Sequence, residues 1–96
     1  MNATPPAIPL TDIFNACLAM QLREQTAAAR LDLEKLPETR LDGFRALLFM
    51  ESRKRTPSLA VYCLAFPDKA AAAIHEAATA TVAETIKTFF SATTAQ

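Results

Sequence analysis

The amino-acid sequence predicts a small α+β domain, a two-layer helix–β-hairpin–helix, and three observations lead there. A stretch without proline or glycine runs from Asp12 to Leu36 with apolar residues at helical spacing. Two short apolar runs, 44–50 and 58–66, flank a polar, basic segment at 51–56. An alanine-rich stretch after Asp68 then carries its larger apolar residues on one helical stripe.

Residues 1–9 hold three prolines and no periodic pattern, which predicts an extended, loosely held arm, because proline removes amide donors and fixes φ. The first helix is predicted over residues 12–36, with Thr11 as N-cap and Asp12 in the first turn, where the helix dipole favours an anion. On a 3.6-residue wheel Ile13, Cys17, Met20, Ala27 and Leu31 form one seam. Phe14, Leu18 and Leu22 form a second, diverging one. A helix lying on one core needs a stripe of about 100°, so the second seam calls for a surface of its own.

The runs at 44–50 and 58–66 read as the strands of a hairpin with a basic tip, Pro57 starting the second strand and Pro67 following its end. The competing reading makes both runs helical and the chain an all-α four-helix domain. Leu41, Phe44 and Leu48 are helically spaced, and Thr56-Pro57 is a serviceable N-cap and first-turn pair. The last helix is predicted to start at Asp68 and to bury Ala71, Ile74, Ala78, Val82, Thr85, Ile86 and Phe89 along one face, with a frayed tail over 91–96. A chain of 96 residues supports one core and hence one domain.

Composition narrows the function classes. The chain is 51% hydrophobic and 21% charged, which excludes the composition of a disordered chain. Ten basic residues balance ten acidic ones, so no overall field gathers nucleic acid or anionic lipid. Cys17 and Cys63 lack CxxC spacing and read as reduced thiols among apolar neighbours. The sequence shows neither a signal peptide nor an apolar run of membrane-spanning length, from which a cytoplasmic address and no membrane association are expected.

No catalytic constellation emerges. His75 is the only histidine and reads as structural, since the neighbouring Glu76 lies about 100° round the helix from it. The carboxylates Asp12, Asp32 and Glu34 have the pattern of capping or solvated charges, and a single glycine, Gly43, excludes a glycine-rich phosphate loop. The expectation is a non-enzyme without cofactor, metal or small-molecule substrate. Arg53-Lys54-Arg55, flanked by Ser52 and Thr56, is the one local feature suited to phosphate, and it supplies the alternative function, a nucleic-acid-binding regulator. The favoured function is a protein–protein interaction module, a small accessory, adaptor or chaperone-like protein. It is expected to form a homodimer through the first helix, with Phe14, Leu18 and Leu22 as partner-binding residues, and through the hairpin.

Overall fold

The computed structural model describes residues 9–94 and corrects the fold class: the domain is all-helical, and no strand occurs among the described residues. Three helices, α1 (Leu10–Ala28), α2 (Glu38–Ala65) and α3 (Ala70–Thr94), are joined by single turns of 3-10 helix at Leu33–Lys35 and Pro67–Lys69. The arm expected over residues 1–9 lies, except for Pro9, outside the described residues, as do 95–96 of the expected tail. Residues 91–94 of that tail continue α3.

Helix α1 starts two residues before the predicted boundary. Pro9, not Thr11, is its N-cap, and the Pro9 carbonyl accepts from the amides of Asp12 (3.0 Å) and Ile13 (3.3 Å). It also ends at Ala28 rather than near Leu36, because Arg30 takes a left-handed conformation with φ 58°. The Leu31 amide then donates to the Thr26 carbonyl (2.8 Å) and the Arg30 amide to that of Ala27 (3.1 Å). This bond pair is a Schellman motif, which satisfies the last carbonyls and reverses the chain. Leu31, Leu33 and Leu36 are thereby half-covered in the connection instead of being carried into water on a longer helix.

The predicted hairpin is a single 28-residue helix, α2, which neither the α+β nor the four-helix reading anticipates. Phe44, Leu48, Ser52, Arg55, Leu59 and Cys63 share its inner face at spacings of three and four residues, and all are buried or half-buried. The helix passes through Pro57, which sits on the exposed side and leaves the Arg53 carbonyl without its usual amide donor. Around that gap, hydroxyls bond to the carbonyls of the helix itself: Ser52 to Phe49 (2.8 Å), Thr56 to Ser52 (2.8 Å) and Ser58 to Arg55 (3.3 Å).

Helix α3 follows its predicted stripe closely. Ile74, Ala78, Val82 and Thr85 are buried, Ile86 and Phe89 are half-buried, and only Ala71 faces water. Asp68 falls in the turn before the helix rather than at its cap. Thr81 and Thr85 are wholly buried, each hydroxyl donating to the carbonyl four residues back (both 2.7 Å). Such a bond satisfies the polar group inside its own helix and leaves a short side chain outward, which lets a second helix come close.

The topology is up-down-up with α3 as the common partner of α1 and α2. Gln21 meets His75 and Gln25 meets Thr79, a constant offset that makes α1 and α3 parallel. Phe44 meets Phe89 at one end of the α2–α3 pair, and Tyr62 lines a groove with Lys69 at the other, so α2 runs antiparallel. The main core gathers Phe14, Leu18, Leu59, Ile74, Ala78 and Val82. A second cluster, Phe44 against Phe89 (5.3 Å, edge to face) and Phe90 (6.4 Å), closes the far end. The molecule is a narrow rod of 60 × 23 × 22 Å with a radius of gyration of 15.7 Å. A compact chain of this length would measure about 13 Å.

Candidate interaction surface

The rod shape leaves much of each helix uncovered, and on α2 the uncovered side is apolar where a solvated helix would be charged. Met50, Pro57 and Leu64 recur at intervals of seven residues, and Val61 lies beside them within an arc of about 60° on the wheel, opposite the inner face. Leu64 is 83% exposed, Val61 67% and Met50 57%. Leu59 and Cys63 of the same helical half point into the core, so this half of α2 is apolar on both sides. Tyr62 and Phe66, 5.0 Å apart, add an aromatic flank at its end, where the Lys69 ammonium lies 5.7 Å from the Phe66 ring.

The basic segment lies in the middle of this helix rather than at a hairpin tip, so its three cations fan round the axis instead of converging. Lys54 and Arg55 turn back to the buried carboxylate of Glu51, at 3.0 and 3.2 Å. The Lys54 hydrogen bond holds the Glu51 carboxyl below its ordinary range, Arg55 acts in the same direction, and burial opposes both. Arg53 is exposed, with its guanidinium 5.5 Å from the centre of the Phe49 ring. Of the three expected phosphate ligands, two are therefore engaged with a carboxylate of the chain.

The partner seam expected on α1 sits elsewhere. Phe14 and Leu18 are buried in the chain's own core, and Leu22 packs half-buried against it. The other seam faces out: Ile13 and Met20 are each 37% exposed and, with Cys17, line a shallow apolar depression. Phe14, Leu18 and Leu22, expected to meet a partner chain, all pack in or against the chain's own core, as does Cys17 of the other seam.

His75 belongs to a polar strip that sets the register of α1 on α3. Gln25 Nε2 donates to Gln21 Oε1 and to the Thr79 carbonyl, both at 3.0 Å. The Gln21 amide nitrogen, with its oxygen already accepting, faces His75 Nε2 at 3.4 Å, so that this ring nitrogen is the acceptor. Cys17 and Cys63 are half-buried against the core, and among the described residues no group of His, Cys, Asp and Glu is placed to hold a metal ion. A groove of about 630 Å³ between α2 and α3 is floored by Ala72, Ala73, Ala77 and Ala80 and rimmed by Arg55 and Tyr62. Glu76, Lys69 and Ser58 also line it, so the groove carries an apolar floor with charged groups at its edge.

Sequence reasoning missed Met50, Val61 and Leu64 as a surface because it placed them in strands; the seven-residue recurrence of Met50, Pro57 and Leu64 was the available signal. No helix among the described residues is long and apolar enough to cross a membrane. No family model, curated protein or solved structure matches this chain.

Proposed function

We propose that this chain is a non-catalytic, helical protein–protein interaction module and that the outward stripe of α2 is its docking face. The observation that carries the reading is the exposure of Val61 and Leu64 on a helix whose opposite side is already buried. Apolar side chains at such positions gain nothing within the chain, and their transfer out of water on docking is worth roughly 1.5–3 kcal/mol for each side chain fully covered. The alternative of nucleic-acid binding through Arg53, Lys54 and Arg55 is less well supported, since Glu51 already neutralises part of that charge.

The test is the double substitution Val61→Asp with Leu64→Asp. The variant should keep its helical signal and its unfolding midpoint within a few degrees, because neither side chain supports the fold. In extracts of producing cells it should elute at the size of a free chain, while the unmodified protein elutes larger. A large loss of stability would show that the face is used inside the chain and would refute the reading, as would an unchanged elution profile.

A further inference from the structure

We infer that the groove between α2 and α3 binds a small amphiphilic anion, a free monocarboxylate with an apolar body. Its carboxylate sits at Lys69 and Tyr62, and its body lies along Leu59 and the alanine floor. The site is independent of the outward stripe of α2 and occupies another flank of that helix. At about 630 Å³ it falls within the ~300–1,000 Å³ range of small-molecule sites. Both walls are helices, whose amides and carbonyls are bonded along their own axes, so the groove has no free strand edge for an extended peptide. What remains for a ligand is apolar area on the floor and side-chain groups at the rim.

The rim charges are unequally compensated, which gives the groove a direction. The antiparallel register set by Phe44 against Phe89 puts Arg55 near the level of Glu76 and Tyr62 near that of Lys69. At the first end the Arg55 guanidinium is already paired with Glu51 at 3.2 Å, and Glu76 adds a second carboxylate. At the other end, about 10 Å away along the helices, the balance is positive. Among the described residues the Lys69 ammonium makes no ion pair, with the adjacent Asp68 or any other carboxylate, and meets the Phe66 ring at 5.7 Å. The Tyr62 hydroxyl likewise has no hydrogen-bond partner among the described residues. An ammonium and a phenol with donors to spare thus stand at one end of an apolar trough. A carboxylate gains charge-assisted hydrogen bonds there and is repelled from the far end by Glu76, while the body behind it covers Leu59, Ala73 and Ala77. An amine is repelled by Lys69, and Glu76 is a poor substitute site for it, because Arg55 stands across the groove.

The chain provides its own reporter. Tyr62 is the only tyrosine and there is no tryptophan, so intrinsic fluorescence reads the groove. Titration with decanoate, below its micelle concentration, should change that fluorescence saturably, and decylamine should bind at least about tenfold more weakly. Lys69→Gln, at an exposed position, should keep the helical signal and remove most of the preference for decanoate. Amide shifts in a ¹⁵N-labelled sample should change along 55–62 and 69–80. Absence of any saturable response to decanoate overturns the site, and equal affinity for decylamine overturns the anion. Unchanged decanoate affinity in Lys69→Gln overturns the placement of the head. Shifts confined to the outward stripe of α2, or to the depression at Ile13, Cys17 and Met20, overturn the groove as the place of binding.

Discussion

Replacing Pro57 by alanine should stabilise the domain. In a helix interior proline is less favourable than alanine by about 3 kcal/mol, through one missing amide donor and the clash of its ring with the carbonyl four residues back. Part of that cost is relieved here. Pro57 is on the exposed side, where the Arg53 carbonyl can bond to water, and the carbonyls of Ser52 and Arg55 accept from the hydroxyls of Thr56 and Ser58. The ring packs against nothing in the core, so its removal forfeits little burial. A gain of about 2 kcal/mol follows, equivalent for a chain this short to roughly 8–16 °C in the unfolding midpoint. The measurement is urea and thermal unfolding followed by helical circular dichroism, with Leu64→Asp present in both proteins so that self-association does not contribute. No gain, or a loss, would refute the reasoning. A proline that opens a strand or stands in the first turn of a separate helix is well placed, and alanine would not improve on it.

The other predictions concern single side chains. Arg30→Gly should raise stability by about 0.5–1 kcal/mol, because glycine occupies the left-handed position of the Schellman motif without the steric cost of a side chain; an unchanged midpoint would mean that α1 does not end in this way. Phe44→Ala should cost about 3–5 kcal/mol in urea unfolding, since the ring is 1% exposed and wedged against Phe89 and Phe90, and a loss below ~1 kcal/mol would contradict that packing. Glu51→Gln tests the buried ion pairs through pH. The folded carboxyl is held below its ordinary value of 4.5, so its contribution is fully present above that pH and is lost as pH falls through the lower folded value. The stability gap between the two proteins should therefore be flat above pH 5 and close below about pH 4.5, with a slope of at most ~1.4 kcal/mol per pH unit. A gap independent of pH would show that the carboxylate is not ion-paired.

The sequence was legible where local preference and burial agree and misleading where they conflict. In α3, alanine favours helix and Ile74, Ala78 and Val82 mark the buried face, so element and face were both readable. In α1 the two seams are almost equally apolar, and only the position of α3 decides that Phe14 and Leu18 go inside. Helix α2 reverses the expected pattern. Its buried side carries Glu51 and Ser52 and its exposed side carries Val61 and Leu64, which erases the helical period and leaves two apolar runs resembling strands. Pro57 reinforced that error, because a proline at a solvent-facing helical position is indistinguishable in sequence from one that opens an element. The docking face was hidden for the same reason: it becomes a continuous stripe only once residues 44–66 are wound into one helix.

The shared reliance of α1 and α2 on α3 also orders the assembly of the chain. Helices α2 and α3 are joined by one short turn and pair along most of their length, so their contacts close small loops and cost little chain entropy to form. The contacts of α1 with α3 span 54 residues at Gln21 and Gln25, so they close a much longer loop. Helix α1 is accordingly the last element to dock and the first to leave, a separable cooperative unit resting on a helical hairpin. What departs with it is the cover over Ile74 and Val82, so the partly opened chain presents an apolar trough along α3 that the closed rod keeps from water.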